Sequence, residues 1–267
     1  MHTLSVTMIQ THLYWENKLA NLAMLEEKIC KVHHRGQVVI LPEMFSTGFS
    51  MKPSELAENM DGNTVQWMKQ LAAQEKIILT GSVMIEEAGN FYNRLLWVMP
   101  NGKIGIYDKK HLFAFAGENN FYTAGNKRLI TSVNGWRFNV QICYDLRFPV
   151  WARQASKLEP EYDVLLYLAN WPEKRSTAWK SLLIARAIEN QSYVIGVNRV
   201  GIDGNGIEHS GDSMLVDPLG EVLYTCAHTE EIYTHQLDKV KLEEIRAKFP
   251  FWKDADKFSI NSTDKCI

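Results

Sequence analysis

The sequence predicts an α/β protein built from layered, mixed sheets, and three observations carry that class. Short apolar runs such as VVIL (38–41) and VLLYLA (164–169) alternate with stretches whose apolar groups recur every three or four residues. Such alternation puts buried strands inside and amphipathic helices outside. Asn-Gly pairs at 101–102 and 134–135 each separate two strand-like runs, and Asn-Gly supplies the positive φ of a tight hairpin, so part of the pairing is antiparallel. No linker, repeat or low-complexity segment interrupts the 267 residues. One domain over residues 1–258 is expected, with 259–267 (SINSTDKCI) read as a disordered tail.

In chain order, LSVTMIQ (4–10) reads as the first strand. Residues 15–33 read as a helix, with Trp15, Leu19, Leu22, Leu25, Ile29 and Val32 on one face. QVVILPE is a short strand closed by Pro42 and Glu43, and TVQWMKQLAAQEK (64–76) is a helix followed by the strand IILTGSVMI. FYNRLLWVM and IGIYDKK pair across Asn101-Gly102, and RLITSV and WRFNVQIC pair across Asn134-Gly135. YDVLLYLANWP is a buried strand, TAWKSLLIARAIENQ (177–191) a helix and SYVIGVNRVG a strand. HSGDSMLV and EVLYTCA pair across Pro-Leu-Gly, and residues 228–252 close the chain with a strand and a charged helix.

Composition excludes several functions. With 46% hydrophobic and 22% charged residues the chain is ordinary for a globular protein, and a formal net charge of −2 gives no reason to expect nucleic acid or an anionic membrane. No apolar run approaches the ~20 residues of a membrane span. The opening MHTLSVTMIQTHLYW lacks the basic segment and apolar core of a signal peptide. A cytoplasmic protein is expected. Cys30, Cys143, Cys226 and Cys266 are far apart, and the eight histidines are scattered, with His33 and His34 adjacent. Nothing has metal-ligand spacing, and neither a metal nor a cofactor is expected.

Four strand ends carry reactive groups. They are Glu43 after VVILP, Lys109 and Lys110 after IGIYD, Cys143 after FNVQI, and Asn170 with Trp171 after VLLYLA. In layered α/β folds ligands bind beyond the carboxyl ends of strands, so parallel courses would gather these groups on one rim. Each has a plainer reading. Glu43 could cap a helix, a lysine pair is usually solvated, Asn170 could serve the turn before Pro172, and a cysteine in an apolar run is usually filler. Cys143, however, stands where a strand stops and a turn begins, a place used to expose nucleophiles. Asp145 and Arg147 read as a structural ion pair holding that elbow, and His111 as a loop-orienting hydrogen-bonding group.

Glu, Lys and Cys together make a coherent hydrolase. The thiol titrates near ~8.5 when free, an ammonium beside it favours thiolate, and a carboxylate can take its proton. Glu43 is then the general base, Cys143 the nucleophile, and Lys109 the partner of a tetrahedral oxyanion, with the Tyr144 backbone N–H as second donor. The substrate is an unactivated C–N bond such as an amide. A papain-like Cys–His hydrolase using His111 and a non-catalytic scaffold are the readings from other classes.

LPEMFSTGF (41–49), YDKKHLF (107–113) and ICYDLRFPVW (142–151) resemble, in that order, the three motifs of the nitrilase, or carbon–nitrogen hydrolase, superfamily. The likeness runs over about residues 4–257. It implies a four-layer αββα sandwich with mixed sheets, dimerised through helices, with TAWKSLLIARAIENQ as the dimer contact. It also implies Glu43, Lys109 (two before His111, so not Lys110) and Cys143 as catalytic residues, and Glu118 in FAFAGENNFY as a supporting glutamate. PEMFSTGFS, YDKKHLF, ANWPEKR and FPFWKDADKF are most similar to the bacterial ω-amidases. That branch implies hydrolysis of the terminal amide of 2-oxoglutaramate or 2-oxosuccinamate. Amidases of the deaminated-glutathione type and N-carbamoyl amidohydrolases are the alternatives. An ω-amide substrate ends in a carboxylate, which calls for a cation in the pocket. Arg175 is the candidate, with Trp171, Tyr144 and Asn170 around it.

Overall fold

The computed structural model describes residues 2–32, 36–154, 158–256 and 258–260. The tail expectation for 259–267 falls almost wholly outside them, as does Cys266.

Two mixed sheets pack face to face. The first holds β1 (Thr3–Gln10), β2 (Val38–Ile40), β3 (Ile78–Glu87), β4 (Asn90–Val98), β5 (Ile104–Asp108) and, from the far end of the chain, β13 (Glu231–Asp238), in the order β13-β1-β2-β3-β4-β5. The second holds β6 (Leu129–Val133), β7 (Trp136–Ile142), β8 (Val164–Leu168), β9 (Tyr193–Val197), β10 (Val200–Ile202) and β11 (Glu208–Val216), in the order β10-β11-β9-β8-β7-β6, with β12 (Val222–Ala227) on β11. Each has a parallel centre, β1-β2-β3 and β7-β8-β9, flanked by antiparallel pairs. All three expected hairpins form. Gly102 and Gly135 take φ of 79° and 83°, the left-handed region that Asn-Gly supplies.

Period-2 burial explains the layers. Trp136, Phe138, Val140 and Ile142 of β7 point at the first sheet, where Leu4, Val6, Met8, Val38, Ile40, Leu95 and Trp97 meet them. Trp97 and Phe138 touch across the interface at 5.1 Å between ring centres. The opposite face of the first sheet is covered by α1 (Lys18–Lys31) and α3 (Asn63–Glu75), through Leu22, Leu25, Ile29, Val65, Met68 and Leu71. Each such side chain contributes about 1.5–3 kcal/mol on burial. On the second sheet α5 (Ser176–Asn190) lies close over β9. A Cβ on Gly196 would stand 2.6 Å from Leu183 and 2.7 Å from Trp179, so only glycine admits the helix at this distance. The result is the expected αββα sandwich.

Element edges differ from the sequence reading where capping decides them. The first helix begins at Lys18, because the Asn17 side chain accepts from Ala20 N at 3.1 Å, while Glu16 before it has φ 54°. It ends at Lys31, and His33 lies outside the described residues. The short helices α2 (Pro53–Leu56) and α4 (Pro149–Ala152) were not expected. Both start on proline, which reads as a breaker but suits the first helical turn. Last comes α6 (Lys239–Lys248), capped by Asp238 and pinned to the second sheet by Arg246 Nη1 donating to the buried Asp163 at 3.0 Å.

Candidate active site

Strands β2, β5, β7 and β8 end on the same rim, and their next residues meet between the two sheets. Glu43 follows β2 through Leu41 and Pro42. The chain then turns sharply, with Met44 at φ 43° and its N–H donating to Ser82 Oγ at 2.8 Å. Lys109 follows β5, its N–H still donating to Asn93 O of β4 at 3.0 Å. Cys143 follows β7 at φ 45°. A non-glycine residue in that region is strained and persists only where its surroundings over-determine it. Here Asp145 does so. Its Oδ2 accepts from Ile142 N (3.0 Å) and Tyr107 Oη (2.7 Å), and its Oδ1 from His111 N (2.9 Å), with His111 Nδ1 at 2.8 Å.

That network corrects one expectation. Asp145 is not paired with Arg147, because three other residues have taken its oxygens. Arg147 instead lies over the Trp171 ring, 4.9 Å from its centre. The reading of His111 as an orienting group holds. It is tied to Asp145, stacks on Phe148 with ring centres 3.9 Å apart, and is absent from the cavity wall.

Lys109, Glu43 and Glu118 form a fully buried cluster. Lys109 Nζ donates to Glu43 Oε1 at 3.0 Å and to Glu118 Oε1 and Oε2 at 3.0 and 2.9 Å. Glu43 Oε2 accepts from Asn170 N at 2.7 Å, and Asn170 Nδ2 donates to Glu43 O at 2.5 Å. Glu118 Oε2 also accepts from Phe113 N at 2.5 Å. Asn93 Nδ2, which the sequence reading missed, donates to Glu43 Oε1 at 2.8 Å and reaches Glu118 Oε1 at 3.3 Å. Its only signal was a polar residue that a strand carries inward, next to Arg94.

The electrostatics follow from one ammonium between two carboxylates. Burial would depress Lys109, but the charges of Glu118 and Glu43 outweigh it and hold the lysine protonated above its usual range. Glu118 is pushed up by burial and by Glu43, against the pull of Lys109. Cys143 is within hydrogen-bond reach of Glu43. Burial first, then the Glu43 charge, push its thiol well above the free value, and Lys109 opposes them without prevailing. The ammonium favours thiolate, as expected, but burial and Glu43 outweigh it. At neutral pH the resting sulfur keeps its proton, and a base must remove it.

Cys143 lies in the wall of a cavity of about 110 Å³. Tyr144, Asn170, Trp171 and Arg175 line it as expected, together with Phe113, Arg147, Asn205 and His209. Asn170 Oδ1 has no hydrogen-bond partner among the described residues. Arg175 lies over the Phe113 ring at 5.1 Å. Burial, and Arg147 after it, lower its pKa from the usual arginine value. No carboxylate comes within salt-bridge distance of Arg147 or Arg175 among the described residues. Nor does any cluster of three His, Cys, Asp or Glu among those residues have the arrangement to hold a metal ion.

A cysteine, a glutamate and a lysine converging at strand ends of an αββα sandwich define the carbon–nitrogen hydrolase class. The carbon-nitrogen hydrolase family model matches residues 5–247, and the chain belongs to that family. It is 43% identical over 261 residues to omega-amidase YafV of Escherichia coli K12, covering 97% of this chain and all of that protein. It is 32% identical to 2-oxoglutaramate amidase of Bacillus subtilis, covering 95% and 98% of the two chains. The crystal structure of XC1258 from Xanthomonas campestris, a CN-hydrolase superfamily protein with an arsenic adduct in its active site, superposes with a TM-score of 0.95. It is 41% identical, over 98% of this chain and all of that one.

Proposed function

We propose that the protein is an ω-amidase. It hydrolyses the terminal amide of 2-oxoglutaramate or 2-oxosuccinamate-type substrates, releasing a dicarboxylate and ammonia. The observation that carries this reading is a cavity with Cys143 at its floor, the buried Glu43–Lys109 pair behind that cysteine, and two guanidiniums, Arg147 and Arg175, on its wall without carboxylate partners among the described residues. The first group suits an amide, the second the far carboxylate of the same molecule. The similarity to omega-amidase YafV and 2-oxoglutaramate amidase supports it.

In the mechanism Glu43 takes the Cys143 proton as the sulfur attacks the amide carbon. The oxyanion forms beside Lys109 Nζ and the Tyr144 N–H. That N–H lies in the first turn of a short 3-10 helix (Cys143–Arg147), where backbone donors lack intrahelical acceptors. Protonated Glu43 gives its proton to the leaving nitrogen, the C–N bond breaks and ammonia departs, leaving a thioester. Glu43 then deprotonates water, which adds to the thioester carbonyl. The second tetrahedral intermediate expels the Cys143 thiolate, which recovers the proton from Glu43, and the carboxylic acid released gives up its proton to the ammonia in solution. Glu118 holds Lys109 in place. Arg175 and Arg147 bind the distal carboxylate, with Trp171 and Asn170 bounding the pocket. The protein works in the cytoplasm as a homodimer, with α5 at the contact.

The test is ammonia release from 2-oxoglutaramate by the purified protein, with Cys143→Ala as blank. Cys143-dependent turnover above ~1 per second is expected. No release from 2-oxoglutaramate, with hydrolysis of deaminated glutathione or of a carbamoyl compound instead, would overturn the substrate assignment.

A further inference from the structure

The segment that carries Arg175 is fastened to the second sheet by one carboxylate. Strand β11 bulges where Gly211 pairs with Ala227 and Ser213 with Cys226, leaving Asp212 outside the ladder. Gly211 and Asp212 are both left-handed, at φ 77° and 54°. Glycine accepts that conformation freely, but aspartate does so only under constraint. The constraint is visible on α5. Asp212 Oδ2 accepts from Ser176 Oγ at 2.7 Å and from Ser210 Oγ at 2.6 Å. Its Oδ1 accepts from Lys180 Nζ at 3.2 Å, and its carbonyl from Trp179 Nε1 at 2.8 Å.

Ser176 is the residue after Arg175. The Arg175 guanidinium has no hydrogen-bond partner among the described residues and lies over the Phe113 ring. Its place is therefore set by its backbone. Trp171 Nε1 holds that backbone on one side, donating to Arg175 O at 2.8 Å. Asp212 holds it on the other.

We propose that Asp212 is a positioning residue for substrate choice: by fastening Ser176 and the first turn of α5 it places the Arg175 guanidinium, and so sets the preference for amides with a distal carboxylate. This rests on the anionic pocket proposed above. A merely electrostatic role has the opposite sign. Removing a negative charge near Arg175 would favour an anionic ligand, whereas loosening Arg175 disfavours it.

The experiment compares alkylation of Cys143 by iodoacetate and by iodoacetamide, read by peptide mapping. The exposed Cys30 gives the intrinsic ratio of the two reagents once Glu75, whose Oε1 lies 3.8 Å from its sulfur, is replaced by glutamine in every protein compared. In the wild type the iodoacetate-to-iodoacetamide ratio should be higher at Cys143 than at Cys30. Asp212→Asn should lower the Cys143 ratio by roughly five- to tenfold, the scale of one weakened charged hydrogen bond. The KM for 2-oxoglutaramate should rise in parallel, with the loss carried by KM rather than kcat. Ser176→Ala removes only a hydroxyl and should act in the same direction if Asp212→Asn fails to fold. A ratio unchanged or raised in both variants, with the wild-type enrichment present, overturns this inference alone. A wild-type ratio no higher at Cys143 than at Cys30 overturns the anionic pocket and this inference with it.

Discussion

The floor and the wall of the cavity are built by opposite rules. The floor is Cys143, and behind it Lys109, Glu43 and Glu118 are fully buried, with Lys109 Nζ donating to both carboxylates. On the wall Arg147 and Arg175 are half-buried, rest on aromatic faces and have no carboxylate within salt-bridge distance among the described residues. A buried charge is tolerated only when it is paired, so the floor is complete before substrate arrives. The wall leaves charge uncompensated at the edge of water, where a ligand can supply the missing partner. The difference separates chemistry from recognition, and substitutions should separate the two experimentally.

The largest effect is expected on the floor. Cys143→Ala and Cys143→Ser should lower turnover by more than about 10⁴-fold while leaving the fold intact, as read by ammonia release and circular dichroism. Next come the charges around it. Glu43→Gln should cost about 10²–10⁴-fold in kcat through loss of the base. Lys109→Met should in addition lower stability by about 3–5 kcal/mol in denaturant titration, because two buried carboxylates lose their shared cation.

The wall should respond differently. Arg175→Met should raise KM for 2-oxoglutaramate roughly 10–100-fold with a smaller change in kcat, the scale of a hydrogen bond to a charged group. Equal losses in kcat and kcat/KM would erase the distinction between wall and floor. His209, also on the wall, sharpens it through pH. Burial, and Arg199 after it, lower its pKa to about 4. The unfolded chain therefore binds a proton that the folded chain refuses between about pH 6.5 and 4, and stability falls as pH drops through that window. His209→Gln should lose that component, roughly 3 kcal/mol across the window, measured by urea unfolding at several pH values. The smallest effect is expected at His111. His111→Asn should cost less than about tenfold in kcat, well short of the 10²–10⁴-fold that loss of a general base costs.

The sequence was most legible where chemistry sits at strand ends. Glu43, Lys109, Cys143 and Asn170 each follow an apolar run, so local pattern located them, and parallel courses of β2, β5, β7 and β8 gathered them. Asn93 was hidden because an amide in a strand has many readings until the partners 50 and 25 residues away are known. Arg147 was misassigned because Asp145 is its near neighbour, while the competing partners Tyr107 and His111 lie 38 and 34 residues upstream. Asp212 gave no signal, since a bulge depends on register with another strand. That Lys109 is outweighed at Cys143 has the same origin: burial decides it, and burial is a property of the assembled fold.

The most direct measurement is rapid-quench peptide mass spectrometry of the wild-type protein turning over 2-oxoglutaramate. An acyl group, the substrate less ammonia, is expected on the Cys143 peptide, formed and lost at rates matching turnover. Ammonia release at the full rate with Cys143 unmodified at every quench time would contradict it.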